Sequence, residues 1–432
     1  MKHKLEVIIR NKFFQGGVFF TLSNFLIGFL NYLFNFLVGR GLGPQGYGEI
    51  ATLFSYITVA SIPISILSTL VIQKVSSIGY EKRVRFALSL EKFFWEKIRR
   101  WLGLFFLFLL SSFLLSSLTN LSSLTAVSLP LLIILSFLST FYGALLQSLH
   151  FFLVFSLIGV LGAIIKLLGA IGVFIGIDGI VTVITFIFLS SILPCVIYLK
   201  VFRQKIKEEE EKTAKISWRL IRLLLNPRFI VTASSILALT FLNNLDIIFV
   251  KKFFSSTDAG IYSAWALFAK IILYVIYPLI SIAFIFFADE TNKNQTKVFV
   301  FFLSSLSLFG IGSSLIYALY PSLIIHLIFG AKFNELIPYL GYAGLFGSFY
   351  TAITFMNQFF LSKKSYFALI LPAGIPIYIC LLFFLGKRII NIISLNIVFS
   401  SIISLLYLTA YVYHISSQRR KAEASTLKIS PT

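Results

Sequence analysis

Acidic side chains are scarce: 16 Asp and Glu stand against 37 Lys and Arg in 432 residues, and charge of either sign makes up only 12%. A soluble domain carries roughly 25% charged residues, so half of the usual polar coat is missing. That deficit excludes a water-soluble globular domain. Histidine and cysteine are thin as well. The four histidines, His3, His150, His326 and His414, are scattered, and no HExxH, nucleophile elbow, P-loop or GxGxxG stands in context. Cys195 and Cys380 fall in apolar stretches, form no CxxC pair and read as small buried hydrophobes. Neither a metal centre, a cofactor nor covalent catalysis is expected. No cleavable leader is expected either, because the stretch after the basic segment 1–12 is too long for a signal core and has no small-residue cleavage motif.

What the chain holds is apolar: 58% hydrophobic residues, among them 49 Phe. Crossing the hydrocarbon core takes about 20 apolar residues in a helix. That criterion predicts an all-α polytopic membrane protein of about twelve spans. They lie near 13–38, 48–72, 101–118, 127–149, 152–176 and 180–202, then near 229–250, 260–287, 298–320, 335–361, 366–386 and 390–413. Residues 1–202 and 229–414 are the expected lobes, joined by a cytoplasmic linker, 203–228, and followed by a tail, 415–432. The net charge of +21 does not point to nucleic acid, because the cations lie between apolar spans. With a cytoplasmic N-terminus the inside segments hold 29 of them and the outside segments 6. Both termini are therefore placed in the cytoplasm. Reporters fused after Gly48 and Ala259 are expected to face the periplasm, and those after Glu91 and Glu211 the cytoplasm. A cytoplasmic signal at Gly48 overturns this orientation. Residues 80–101 mix cations with Phe and Trp, a pattern that fits either ordinary positive-inside anchoring or a helix lying in the interface.

The two halves echo each other. Gly48 and Gly260 are separated by 212 residues, Asn31 and Asn243 by 212, and Gln147 and Gln358 by 211. An offset of six spans preserves direction, which describes a parallel duplication about an axis along the membrane normal.

Polar groups at membrane depth are costly and mark cavities or partners. Lys166 lies mid-span, and Gly159, Gly162 and Gly169 on its side of the helix offer a close approach to a neighbour. A cavity role, snorkelling and an acid partner are the alternatives, and central depth disfavours snorkelling. Lys270 shares a helix face with Ser263, Tyr274, Tyr277 and Ser281 near a bend expected at Pro278, a pore-lining pattern. Asn24, Asn31 and Asn35 form an amide stripe in the first span, suited to pore lining or to interhelical hydrogen bonds. Asn243, Asn244 and Asp246 sit in the seventh. Asp246 is a candidate partner for Lys166 or Lys270, or a ligand for a coupling cation, H+ or Na+.

Three segments carry a resemblance. GRGLGPQGYGEIA (39–51), LDIIFVKKFFSSTDAGIYSA (245–264) and LIFGAKFNEL (327–336) resemble the corresponding segments of the Wzx-type polysaccharide flippases, of the multidrug/oligosaccharidyl-lipid/polysaccharide exporter superfamily. The resemblance implies two six-helix lobes around a central, alternating-access cavity, as in MATE transporters. It also implies a bacterial or archaeal cytoplasmic membrane and a lipid-linked oligosaccharide as substrate, moved from the cytoplasmic to the periplasmic leaflet. Membrane lipids and other polysaccharide assembly proteins would be the partners. Lys166 and Lys270 would then face the diphosphate; Asn24, Asn31, Asn35, Asn243, Tyr274 and Tyr277 would face sugars. Lipid II flippases usually have about two more spans and several early arginines, whereas this first span has only asparagines before Arg40. Many multidrug exporters carry an acid in span 1, which is also missing here. A cation-coupled multidrug exporter is the alternative. A membrane glycan polymerase or ligase would need a long external loop with His and Arg, which this chain lacks.

Overall fold

A computed structural model describes residues 12–76, 80–100, 103, 112–177, 179–206, 227–288 and 295–427. Every regular element among them is helical. In chain order they are α1 (Lys12–Ala60), α2 (Ile62–Ser76), α3 (Tyr80–Arg100), α4 (Ser112–Thr119), α5 (Ser123–Ser148), α6 (Phe152–Phe174) and α7 (Gly179–Ile206). The second half adds α8 (Pro227–Phe253), α9 (Ser256–Ala288), α10 (Gln295–Leu319), α11 (Pro321–Ile328), α12 (Leu340–Ser362), α13 (Ile370–Leu385) and α14 (Ile389–Leu427). Short 3-10 turns, Ala331–Tyr339 and Tyr366–Leu369, lead into α12 and α13. Nine helices among the described residues are long and apolar enough to cross a membrane.

Several boundaries differ from the expected spans, each for a local reason. No loop separates the first two spans. Helix runs on both sides of a single break at Gly43, whose φ of 70° lies in the left-handed region that glycine alone enters at little cost. Pro44 follows, at the first position of the new helical segment, where its missing N–H costs nothing. The 127–176 stretch divides between α5 and α6, where His150 has φ 65°. The tenth span starts at Leu340, because the 3-10 turn containing Pro338 precedes it. Helix α14 continues to Leu427, well past the expected end at 413. Most of the third span, 101–118, and of the linker, 203–228, falls outside the described residues.

The cation-rich segment 80–101 forms a helix, α3, and it is two-faced. Val84, Ala87 and Leu88 are buried, whereas Arg85, Lys92, Glu96, Arg99 and Arg100 are exposed. Phe94 stacks on Phe141 at 4.0 Å, and Trp95 Nε1 donates to Tyr142 Oη at 2.8 Å. Tyr142 in turn donates to Glu91 at 2.6 Å. The helix is thus docked on α5 by aromatic area and by a chain of hydrogen bonds.

Packing divides the chain into two compact units. The first comprises residues 1–226, 247–264 and 322–336; the second, 227–246, 265–321 and 337–432. In the first, α6 and α7 meet through glycine: a Cβ on Gly169 would lie 2.5 Å from Phe186 Cβ. In the second, Trp265 stacks on Phe346 at 5.5 Å and donates to the Tyr339 carbonyl at 3.1 Å.

Candidate functional site

The first unit holds a cavity of about 330 Å³ between α1, α5, α6 and α7. Asn31, Ser136, Ser139, Thr140, Lys166 and Ser190 supply its polar lining. Lys166 donates to Asn31 Oδ1 at 2.5 Å, and its Nζ lies over the rings of Phe34 (4.7 Å) and Phe54 (5.0 Å). Amide and rings give the ammonium partial negative charge but no counter-ion. Among the described residues Lys166 makes no ion pair. Gly159 faces Ile27 of α1, and Gly162 faces Pro194 and the Ser190 carbonyl of α7. The glycine side of α6 therefore does bring two neighbours close enough to frame the lysine.

The asparagine stripe divides by role. Asn31 receives the lysine; Asn35 donates to the Asn31 carbonyl at 2.7 Å and accepts from Tyr47 at 3.4 Å. Asn24 does not join them. It is exposed and donates to Phe20 O of its own helix.

In the second unit Asp246 is 1% exposed and accepts from Asn396 Nδ2 at 3.0 Å, while Tyr378 donates to Asn396 Oδ1 at 2.6 Å. Tyr274 and Tyr277 are 48% and 46% exposed, so their faces are open to a ligand or to lipid. Among the described residues Asn243 Oδ1 is buried without a hydrogen-bond partner, and Asn244 donates to Thr240 O. Ser263 is buried and bonded to Ala259 O, while the Ser281 and Pro278 side chains fall outside the described residues. A second, wider groove of about 950 Å³ is walled by Leu306, Ile311, Leu315, Leu345, Phe349 and Met356. The hydroxyls of Ser307, Ser314 and Ser348 in its lining bond to carbonyls of their own helices, so its surface is chemically apolar.

Sequence reading missed two groups. Asn396 and Asn357 are 0% exposed, and Asn357 donates to Tyr407 Oη at 2.9 Å. The other is Glu49, whose carboxylate is 2.6 Å from Lys251 Nζ, with both side chains buried (8% and 2% exposed). Glu49 lies at the start of the expected second span, 48–72, and nothing local in the sequence signals its partner 202 residues on. The three resembling segments in fact converge here. Arg40 donates to the His326 and Leu327 carbonyls at 2.8 and 2.7 Å, completing the free end of α11. Tyr47 packs edge-on against Phe329 and Phe333. A Cβ on Gly48 would lie 2.6 Å from Gly260 N, so two residues equivalent by the 212-residue offset touch each other.

Comparison with solved structures assigns the architecture. The fold is similar to that of an inward-facing multidrug resistance MATE family transporter of the MOP superfamily, with a TM-score of 0.68 at 12% identity over 90% of this chain and 95% of that one. It is similar to the lipid II flippase MurJ, with a TM-score of 0.66 at 15% identity over 92% and 87%. The eukaryotic MATE transporter AtDTX14 gives 0.60 at 18% over 92% and 94%. No protein-family profile and no curated protein sequence matches the chain. The chain is an all-α polytopic membrane protein with the fold shared by MATE transporters and MurJ.

Proposed function

We propose that this protein is a transporter that flips a diphosphate-linked lipid oligosaccharide from the cytoplasmic to the outer leaflet by alternating access. The observation that carries this reading is Lys166: a half-buried cation at span centre, held by an amide and two rings, facing a hydroxyl-lined cavity, with no ion pair among the described residues. Burying an unpaired charge is costly. An anionic substrate group relieves that cost, whereas a cationic drug would add to it. The hydroxyls and amides beside it suit sugar, and the apolar groove of the second unit suits a hydrocarbon tail. Residues 1–202 and 229–414 act as the two lobes in this reading, with 203–228 as the cytoplasmic linker. Asp246, held by Asn396, serves as charge partner or coupling-cation ligand.

The fold likeness supports a cation-coupled multidrug exporter equally, and one experiment separates the two. Deletion of the gene in its host should deplete surface glycan and leave the lipid-linked precursor on the cytoplasmic leaflet, with cationic dye efflux unchanged. Lost dye efflux with normal glycan would assign the chain to drug export.

A further inference from the structure

The convergence of the three segments has a mechanical meaning under the alternating-access reading and the cation-derived orientation, on both of which this inference rests. Second-half segments, 247–264 and 322–336, belong to the same compact unit as the first-half ones. Within it Glu49 accepts from Lys251 and from the Ser122 N–H, at the start of α5. Ser122 also caps α5 through Thr125, and a helix N-terminus favours an anion. Lys251 stands in the last turn of α8, where the helix dipole favours a cation. Lys252 beside it donates to Ser117 O, and Asn120 donates back to the Lys252 carbonyl.

We propose that the Glu49–Lys251 pair is the latch of the external gate, formed when the gate is shut and hydrated when it opens. A buried pair suits that task. The Coulomb gain on closing roughly offsets the cost of stripping water from both charges, so closure is specific without being irreversible. Removing one partner leaves a bare charge in the closed state and tips the equilibrium toward opening. The remaining contacts, Arg40 on α11 and Gly48 on Gly260, give the latch its register.

The test reads gate opening rather than transport. In a Cys195→Ser, Cys380→Ser background, Thr52→Cys places a thiol one turn along the helix from Glu49, at a site that is 0% exposed. A membrane-impermeant thiosulfonate is added outside intact cells. Glu49→Gln and Lys251→Gln should each raise the labelling rate by roughly tenfold or more, the scale of losing one partner of a buried pair. The exchanged pair, Glu49→Lys with Lys251→Glu, should return it toward the parent. Unchanged rates in both single variants overturn the latch. So does an exchanged pair labelled as fast as either single variant. If neither single variant accumulates, the pair is a tether of the whole fold and the proposal falls. Faster labelling in the single variants, with normal surface glycan after deletion of the gene, would instead keep the latch and count against the flippase reading.

Discussion

Gly260→Ala is expected to prevent accumulation of the folded protein or to lower its melting temperature by roughly 3–5 °C, the result of several kcal/mol of overlap at about 1 °C per kcal/mol for a chain of this length. A Cβ at this position would lie 1.7 Å from the Pro44 carbonyl oxygen and 2.3 Å from its carbon. Both obstacles are backbone, so no rotamer change relieves them. Neither element can retreat readily, because Gly260 lies in the second turn of α9 and Gly48, on the opposing segment, has no more room. Overpacking a core typically costs about 1–3 kcal/mol, and a backbone collision belongs at or above the top of that range. Gly312→Ala is the control: nothing lies within 4 Å of its new Cβ. Alanine is favoured over glycine by about 1 kcal/mol within a helix, so this variant should match or exceed the parent. Equal thermal unfolding of the two variants, followed in detergent, would show that the close approach at Gly260 is not required.

Lys166→Ala and Lys270→Ala should each reduce glycan export roughly ten- to a hundredfold while the protein still inserts, since a hydrogen bond to a charged group contributes about 1.5–3 kcal/mol. Removal of Lys166 also frees Asn31, whose carbonyl oxygen then faces a cavity large enough for water, so the fold should survive. Lys270→Arg should keep part of the activity because charge persists while geometry changes. If Lys270 serves only to balance Asp246, then Lys270→Ala combined with Asp246→Ala should recover what the single change loses. Surface glycan with an immunoblot for expression measures all four. Full glycan after removal of both lysines would dismiss the diphosphate role.

The helical membrane architecture was legible because hydropathy needs only a local window, and the same holds for α3. The glycines beside Lys166 were legible too, since helical spacing places them on one side of α6. What escaped was long-range pairing. Lys166 and Asn31 were each singled out, yet nothing in the chain joins residues 135 apart. Glu49 was overlooked because a single carboxylate at the start of the expected second span, 48–72, carries no local sign of a partner; Gly43 makes the break and helix resumes beneath the carboxylate. Asn357 and Asn396 were overlooked because single amides in apolar runs carry no periodic signal. The offset of 212 was visible, but only the structure shows Gly48 and Gly260 in contact.

The Gly48–Gly260 contact also bears on how far such a sequence is free to drift. Most span positions face lipid or other apolar side chains, where one hydrophobe replaces another at little cost. Chains with this fold accordingly share only 12–18% of their residues with this one. A backbone-to-backbone crossing has no such latitude, because every side chain larger than hydrogen is excluded there. The signature suited to tracing distant kin of this protein is therefore sparse: two glycines a fixed distance apart, each just beyond the break between two spans, in a background whose spelling carries little information.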